Sequence, residues 1–434
     1  MKKYSKIFSL LLVICMLLGC TGCASLVTLP KVTNDVGNSS TEQAKNDESV
    51  SDDKVKKLKE EDVKQEALLS DYFVGKLELL EMLIGQYYMN DVSTEELRIG
   101  AYKGLLEGLG DPYSCYYTAE EYDDLMESSS GVYCGIGAVV QQNVKTMLIT
   151  IVKPYVDGPA YNAGMLPGDI IYMVDDVDVT GMEIDSVVAM MKGEAGTVVK
   201  VTVVRDGVVD PVELTITRDV IEVETIEYEM LENKIGYILI SQFDEVTPKQ
   251  FKDAVEDLES KGMKGLVIDL RDNPGGLLSA VVEMLDYVLP KGLIVYTEDK
   301  YGNKEEYKGK DNHELDLPMA VMINGNSASA SEIFAAAMQD YEVATIVGTT
   351  SFGKGIVQSI IPLTDGTAVK LTVSRYFTPN GVCIHGTGVT PDVEVELAEE
   401  LKQKVVIEHE EDNQLVEAMK VLKQQMPKTN KINK

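Results

Sequence analysis

The residues best suited to covalent chemistry are three serines in one short run. The run SASAS, residues 327–331, follows a predicted strand, PMAVMIN, and the apolar spacing beyond it predicts a helix that begins near Ser329. Free N–H groups and the helix dipole favour negative charge at the start of a helix, which suits a nucleophilic oxygen and the oxyanion that it generates. The spacing does not choose among Ser327, Ser329 and Ser331.

Ser329 also fits a purely structural role. With Glu332 it forms the S-x-x-E pattern of a capping box, in which a serine satisfies backbone N–H groups at the start of a helix. Capping alone would explain this pattern, so an argument for catalysis needs a second chemical group.

Lys354 is the candidate for that second group, because it lies in a glycine-rich segment, TSFGKG, just before a β-branched stretch. Most lysines are solvated, but an amine that is buried enough to be neutral can take the proton of a serine. The glycines and Phe352 leave room for such burial. Side chains at positions 354, 356 and 358 of a strand share one face, so we expect Gln358 to orient the amine.

The lysine segment has one competing interpretation. Residues 348–354 match the first seven positions of the phosphate-binding loop G-x-x-x-x-G-K-[ST]. Gly355 removes the hydroxyl that would bind magnesium, and the residues that follow predict a strand where that motif needs a helix. We therefore reject nucleotide binding.

Histidine chemistry has little material in this chain, which contains only His313, His385 and His409. A serine–histidine–aspartate hydrolase would need His385, but its neighbours IHGTGVTPD predict a surface turn and no GxSxG elbow is present. The sequence around His409 does not complete HExxH, so we expect neither a zinc peptidase nor any metal or cofactor.

The charge balance limits the partners of the protein. The 40 basic and 71 acidic side chains give a formal charge of -31, which repels nucleic acid and anionic lipid headgroups. We therefore expect no nucleic-acid partner.

The elements that would position these groups alternate between strand and helix after Arg218. Such alternation predicts helices packed on a largely parallel sheet, where reactive groups gather at the carboxyl ends of the strands. Three strand ends are candidates for one shared site: residues 271–276, 324–332 and 348–358.

A compact β-rich domain with one short helical stretch precedes this region. Its segment AYNAGMLPGDIIYMVDDVDV, residues 160–179, resembles PDZ domains, and Gly135-Ile136-Gly137 resembles their carboxylate-binding loop. Successive N–H groups of such a loop can converge on a terminal carboxylate while the peptide adds a strand to a sheet edge.

The N-terminus predicts export. Residues 1–19 have a basic start and an apolar stretch too short to span a membrane, as in a signal peptide. Leu17-Leu18-Gly19-Cys20 resembles the bacterial lipobox, so we expect Cys20 to be acylated and the protein to be anchored on the outer face of the membrane. An uncleaved N-terminal anchor is the alternative. Residues 20–62 are polar and predict a flexible tether.

Five ordered motifs identify a family. The runs DLRDNPGG, NGNSASASEIFAAAMQDY, TSFGKGIVQ and TPNGVCIHGTGVTPDV, with the PDZ-like domain, resemble the C-terminal processing (tail-specific) peptidases of the S41 serine peptidases over residues 65–420. The resemblance implies a serine endopeptidase that recognises substrate C-termini; a PDZ scaffold with an inactive peptidase core is the alternative. It also assigns roles: Ser329 as nucleophile, Lys354 as base, Gln358 as its orienting residue, and the N–H groups of Gly275 (or Gly276) and Ala330 as the oxyanion hole.

The predicted organisation is a multi-domain α/β protein: an N-terminal helical region (63–128), the PDZ domain (129–217), an α/β peptidase core (218–395) and a C-terminal helical region (396–434). Relatives are often dimeric through terminal helices. The segment EEDNQLVEAMKVLKQQM fits either a dimer contact or an intramolecular packing helix. One departure from the family is Lys192, where relatives often carry an arginine that is thought to couple peptide binding to activity.

Overall fold

The computed structural model of the chain describes residues 68–310, 314–404 and 407–426. These residues form two compact units, a smaller one of residues 68–119 and 359–371 and a larger one of the remainder. The predicted signal peptide, Cys20 and the tether lie outside the described residues. Within the described ranges, no helix has the length and apolar character needed to cross a membrane.

The smaller unit contains two helices and one short strand: α1 (Asp71–Tyr87), α2 (Thr94–Glu107) and β1 (Cys115–Tyr117). Ser70 caps α1 by accepting the N–H of Phe73, and Ser93 forms a capping box at the start of α2. Strand β1 pairs antiparallel with residues 368–370.

The apolar residues of α1 and α2 differ from the sequence prediction. The two helices form as expected, but neither buries any of its side chains. Most of the large apolar side chains of α1 are exposed, among them Tyr72, Leu77, Leu80 and Leu83. The prediction of helices is therefore confirmed. The burial of their apolar faces, which the spacing also predicted, is not seen in the described residues.

The first part of the larger unit begins with α3 (Ala119–Ser130) and continues into a β-rich domain. Its main sheet has the order β3-β4-β5-β7-β8, with β6 beside β5, and β2 pairs separately with β9. The strands are β2 (Val132–Gly135), β3 (Ala138–Gln142), β4 (Ile149–Pro154), β5 (Ile170–Val174), β6 (Val177–Asp178), β7 (Val198–Val204), β8 (Val212–Thr217) and β9 (Asp219–Glu222). The helices are α4 (Pro159–Asn162) and α5 (Ile184–Met191).

The second part of the larger unit is built on a six-stranded sheet of order β10-β11-β12-β15-β16-β19. Only β10 runs antiparallel to its neighbour, so the predicted largely parallel sheet is confirmed. These strands are β10 (Ile226–Leu231), β11 (Ile235–Ile240), β12 (Gly265–Asp269), β15 (Met319–Ile323), β16 (Ala344–Gly348) and β19 (Val393–Glu394).

Helices cover both faces of this sheet. Alternate residues of the strands pack with α6 (Thr247–Ser260), α7 (Leu278–Val288) and α8 (Ala330–Asp340) in the largest core. The intervening residues pack against α9 (Asn413–Gln425), whose Leu415, Ala418 and Leu422 are fully buried. Of the two roles considered for this C-terminal helix, intramolecular packing is therefore the one observed.

Additional strands complete the region: β13 (Leu293–Asp299), β14 (Lys304–Lys308), β17 (Ile356–Pro362) and β18 (Ala368–Phe377). In the larger unit, β13 pairs with β14 and with residues 374–377 of β18. Strand β17 follows Lys354, as the sequence predicted. A phosphate-binding loop would need a helix at this position.

Candidate active site

The three segments that were predicted to form one site, residues 271–276, 324–332 and 348–358, contact one another in the structure. After β15, the Ser327 hydroxyl donates to the carbonyl of Leu270, 2.7 Å away at the end of β12. The N–H of Ala328 donates to the Asn273 carbonyl at 3.1 Å. The N–H of Phe352, after β16, donates to the Ser327 carbonyl at 3.0 Å. The serine run is thus bonded to both neighbouring segments.

Ser329 has an unusual backbone conformation. It is the N-cap of α8, with φ of 55° and ψ of −111°, a combination that residues with a side chain rarely adopt. Such conformations cost about 1–3 kcal/mol and tend to be retained at functional sites. The residue is only 7% exposed and lines a small cavity.

The two rival serines have different surroundings. Ser327 and Ser331 are fully buried, and each donates its hydroxyl to a backbone carbonyl: Ser327 to Leu270 and Ser331 to Asn273, the latter at 2.9 Å. Both hydroxyls therefore serve to hold the turns together. This distinguishes Ser329 from its neighbours, which the sequence alone could not do.

The cavity beside Ser329 has a volume of about 10 Å³, the space of one water molecule. Within the described chain, neither the N–H of Ala330 nor that of Gly276 has a hydrogen-bond acceptor. Two unpaired donors beside a serine are the arrangement that an oxyanion requires. The cavity is lined by Gly276, Leu278, Ser329, Ala330, Ile333, Ile356, Val357, Gln358 and Tyr376.

The N–H of Gly275, which the sequence analysis named first as a donor of the oxyanion hole, already has an acceptor. This N–H donates to the side-chain oxygen of Asn273 at 2.8 Å, and the carbonyl of Gly275 accepts the N–H of Phe243. The geometry therefore favours Gly276, which the sequence offered as the substitute. Gly276 has a φ of 145°, and a Cβ at this position would lie 2.2 Å from the carbonyl oxygen of Phe243, so only glycine fits.

Lys354 is 9% exposed and lies before β17 rather than in it, since the strand begins at Ile356. The expectation that Lys354 and Gln358 share one strand face is therefore wrong for the lysine. Gln358 is 1% exposed, and its side-chain nitrogen donates to the Thr372 hydroxyl at 3.3 Å.

The lysine loop is shaped by backbone packing. A Cβ on Gly355 would lie 2.5 Å from the backbone nitrogen of His385, and one on Gly388 would lie 2.4 Å from the carbonyl of Ser351. These glycines allow two loops to lie against each other. This close packing keeps residues 351–355 from extending the strand.

Glu332 joins the serine and lysine segments. It is fully buried, and its carboxylate accepts the N–H of Ser329 at 2.8 Å, as in a capping box. The same carboxylate accepts the Ser351 hydroxyl and the N–H groups of Gly353 and Lys354, at 2.5, 2.7 and 2.8 Å. The sequence pattern revealed the cap but not these contacts with the lysine loop.

Tyr376 is a second residue that the sequence analysis missed. Its hydroxyl donates to the carbonyl of Ser329 at 3.1 Å, and its N–H donates to the carbonyl of Gly355 at 3.2 Å. The side chain is buried and lines the cavity. Because its partners are distant in sequence, no local pattern could have indicated this role.

Two of the three histidines, His385 and His409, lie within the described residues. The backbone of His385 packs against Gly355, next to Lys354. His385 is exposed in a loop. His409 packs on the Tyr237 ring, with centroids 4.9 Å apart, and lies 3.5 Å from a Glu229 oxygen. In the part of the chain that the structure describes, no cluster of three histidine, cysteine or acidic residues could hold a metal ion.

The glycine loop of the β-rich domain connects β2 to β3. The carbonyl of Ile136 accepts the N–H of Ala160 at 2.8 Å, and that of Gly137 accepts the N–H of Tyr155 at 3.0 Å. Gly137 has a φ of 72°, which a glycine adopts easily. The loop leads into β3, an edge strand of its sheet.

Comparison with known proteins defines the class. Residues 234–395 match the family model of peptidase family S41, and residues 150–205 match a PDZ domain. Residues 33–121 match the N-terminal domain of the activating protease CtpB. The chain is therefore a serine peptidase that carries a PDZ domain.

Individual relatives narrow this class. The chain is 41% identical over 315 residues to the carboxy-terminal-processing protease of Bartonella bacilliformis, covering 71% of this chain and 72% of that one. It is 40% identical over 323 residues to the carboxy-terminal processing protease CtpA of Bacillus subtilis, covering 74% and 68%. The chain belongs to the carboxy-terminal processing proteases of family S41. A solved photosystem II D1 C-terminal processing protease matches with 28% identity and a TM-score of 0.44, covering 74% of this chain and 86% of that one.

Proposed function

We propose that the protein is an exported, lipid-anchored endopeptidase that cuts with Ser329 as nucleophile and Lys354 as general base. One observation carries the proposal. The strained Ser329 lines the same cavity as Ala330 and Gly276, whose N–H groups have no acceptor in the described chain. Glu332 binds the backbone of both Ser329 and Lys354, which ties the two proposed catalytic residues into one unit.

The proposed reaction proceeds through an acyl-enzyme. The Ser329 hydroxyl adds to the scissile carbonyl carbon while its proton passes to the amine of Lys354. The carbonyl oxygen becomes an oxyanion that accepts the N–H groups of Gly276 and Ala330. The C–N bond then breaks as the lysine ammonium returns the proton to the leaving amine, and water releases the acyl group by the same steps. Gln358 helps to orient the lysine.

We further propose that the PDZ domain receives the C-terminus of the substrate at the loop of Gly135, Ile136 and Gly137. Strand β3 follows this loop at an open sheet edge, where a peptide can add as a further strand. PDZ domains in general bind peptides. The specific proposal here is that this domain recognises the free carboxylate at the substrate's C-terminus.

The nucleophile is tested by cleavage of an unfolded protein with an apolar C-terminus. Ser329→Ala should abolish cleavage and leave the fold intact by circular dichroism, whereas a scaffold with an inactive core would cut nothing in either form. A fluorophosphonate reagent should modify the wild-type chain at Ser329, as mapped by mass spectrometry. If Ser329→Ala still cleaves and Ser327→Ala or Ser331→Ala does not, then the nucleophile is Ser327 or Ser331 instead.

Anchoring is proposed through acylation of Cys20, which lies outside the described residues. The lipobox-like run before Cys20 supports this proposal. In bacteria that express the full chain, Cys20→Ser should leave the precursor unprocessed or release the protein from membranes. Cys23→Ser, three residues away, should behave as wild type. Unchanged membrane retention of Cys20→Ser with the signal still attached would favour an uncleaved anchor.

We also propose that the protein forms a homodimer through α1 and α2. The exposed apolar side chains of these helices support this, since soluble proteins rarely expose large contiguous apolar patches. Replacing both Leu80 and Leu83 by glutamate should halve the mass measured by analytical ultracentrifugation. The control Val209→Glu, at an exposed PDZ position, should leave the mass unchanged. A wild-type monomer would refute the proposal.

A further inference from the structure

Asn273 is a fully buried polar residue to which the proposed reaction gives no role. Its side-chain Oδ1 accepts the N–H of Gly275 at 2.8 Å, and its Nδ2 donates to the carbonyl of Ile240 at 2.8 Å. An N–H on one side and a carbonyl on the other fix which end of the amide is the oxygen. Asparagine supplies both the acceptor and the donor that this position needs, whereas an ionised aspartate would place an oxygen against the Ile240 carbonyl.

The backbone of Asn273 binds the segment that carries Ser329. Its carbonyl accepts the N–H of Ala328 at 3.1 Å and the hydroxyl of Ser331 at 2.9 Å, one residue before Ser329 and two residues after it. Asn273 therefore joins three parts of the site: the end of β11 at Ile240, the glycine turn after β12 and the start of α8.

The peptide unit between Gly275 and Gly276 is held in one orientation. The N–H of Phe243 donates to the Gly275 carbonyl at 2.9 Å, and the Phe243 carbonyl accepts the N–H of Leu277 at 2.7 Å. The C=O and N–H of a trans peptide unit point in opposite directions. The Gly276 N–H therefore points away from Phe243, and Gly276 lines the same cavity as Ser329.

Hydrogen bonds at both ends of Gly275 restrict this orientation: its carbonyl accepts the N–H of Phe243, and its N–H donates to the Asn273 side chain. Gly275 and Gly276 have φ values of 106° and 145°, a region where glycine is free to change conformation. An oxyanion hole stabilises charge because its donors are fixed before that charge develops. The bond from Gly275 to Asn273 therefore limits how far the Gly276 N–H can turn from the oxyanion, and a substitution can remove it.

We propose that Asn273 is a positioning residue that holds the Gly276 N–H in the oxyanion hole and fixes its place relative to Ser329. Asn273 acts through Gly275 and does not itself contact the substrate. It stabilises the tetrahedral transition state and leaves the binding of the uncut substrate unchanged. This inference rests on the proposed function, in which Ser329 is the nucleophile and Gly276 an oxyanion donor.

The test compares two inhibitors of the full chain that share one peptide sequence, a trifluoromethyl ketone and a methyl ketone. The Ser329 hydroxyl adds to the activated carbonyl of the first and gives a hemiketal oxyanion, while its proton passes to Lys354. The methyl ketone remains largely a carbonyl, so the ratio of the two inhibition constants measures how well the oxyanion is bound.

Asn273→Ala should reduce this ratio at least about tenfold, the effect of one net hydrogen bond to a charged acceptor. It should lower kcat to a similar extent and leave KM nearly unchanged, because the lost interaction is made only in the transition state. Both inhibition constants report on folded enzyme alone, so a loss of stability does not alter their ratio. Asn273→Ser, whose shorter hydroxyl cannot reach both Gly275 and Ile240, should show the same loss and is measured where Asn273→Ala yields too little folded protein.

Asn413→Ala is the matched control, because the Asn413 amide makes the same kind of bridge. It accepts the N–H of Ala398 at 2.9 Å and donates to the Glu396 carbonyl at 2.8 Å. This variant should keep the wild-type ratio and kcat. A wild-type ratio in the Asn273 variants would overturn the positioning role, whatever their stability. If the wild type itself binds the two ketones equally, the proposed serine mechanism is wrong, so the two failures are distinguishable.

Discussion

At the scale of single residues, the backbone of Ser329 is the feature on which the account depends. Its carbonyl accepts three donors: the N–H groups of Glu332 and Ile333 at 2.9 Å each and the Tyr376 hydroxyl at 3.1 Å. Two of these bonds come from the helix that Ser329 caps. The third comes from a strand that also binds Gly355, the residue after Lys354. Tyr376 therefore helps to fix the serine relative to the lysine loop.

Tyr376→Phe should lower kcat by about tenfold and leave KM nearly unchanged, because one net hydrogen bond of about 1–1.5 kcal/mol is lost from a group that positions the nucleophile. Steady-state kinetics with one peptide gives both constants. Tyr341→Phe is the matched control, since it removes a similar bond, 3.0 Å from the Tyr341 hydroxyl to the Leu293 carbonyl. Equal kcat values for the two variants would show that Tyr376 has no positioning role.

The choice among three serines shows what residue types alone can establish. Sequence spacing predicted a serine at the start of α8 but left Ser327, Ser329 and Ser331 open. The hydroxyls of Ser327 and Ser331 donate to carbonyls more than fifty residues away, at Leu270 and Asn273. Such partners depend on how β12 and β15 pair, so no local pattern reveals them.

At the scale of elements, the parallel sheet could be predicted because strand and helix patterns alternate along the sequence. From that alternation we predicted that three strand ends lie together at one edge of the sheet. The structure shows them in contact there. The loop of Lys354 could not be predicted in the same way. Its conformation depends on Gly355 and Gly388, which let two distant loops approach to backbone contact.

Glu332 is the residue that unites these elements. Its carboxylate accepts four donors, three of them from residues 19 to 22 positions further along the chain. Glu332→Gln keeps the shape but replaces one acceptor oxygen by a donor group. At least one buried donor then loses its partner, at a cost of about 1–3 kcal/mol.

We expect Glu332→Gln to reduce kcat/KM by at least tenfold, because the serine and lysine segments lose their common anchor. Glu283→Gln, at an exposed position on the neighbouring helix α7, is the control and should keep wild-type activity. Peptide turnover and thermal unfolding are measured for both. An active Glu332→Gln variant of unchanged stability would mean that the carboxylate contacts are dispensable.

At the scale of the whole molecule, Asp244 lies where the segment before the PDZ domain meets the peptidase core. The N–H of the next residue, Glu245, donates to the Ser129 carbonyl at 3.1 Å, and a Cβ on Gly131 would lie 3.3 Å from that of Asp244. Burial raises the pKa of Asp244 to about 6, although the Gln242 amide partly offsets this. Ionisation of Asp244 therefore opposes folding.

The sign of the pH dependence follows from this shift. The unfolded chain loses the Asp244 proton at a lower pH than the folded chain, so stability falls as pH rises from about 4 to about 6. Above that window the cost is fully present and amounts to up to about 3 kcal/mol. Asp244→Asn removes the ionisation and keeps the shape.

Asp244→Asn should therefore raise the thermal midpoint at pH 7 relative to wild type and change it little at pH 4. Asp210→Asn, at an exposed position, should shift neither midpoint. Differential scanning calorimetry of the full chain at the two pH values measures the difference. The same shift at both pH values would show that Asp244 is not the titrating group.

The most direct test of the serine–lysine account is the turnover of one peptide by Lys354→Arg and His385→Ala, with circular dichroism to exclude misfolding. A guanidinium cannot be deprotonated in a protein, so arginine keeps the charge of lysine but cannot act as a base. The account predicts that Lys354→Arg is nearly inactive and that His385→Ala, which changes an exposed side chain, keeps most of its activity. Substantial activity in Lys354→Arg together with loss in His385→Ala would contradict it and require an imidazole base.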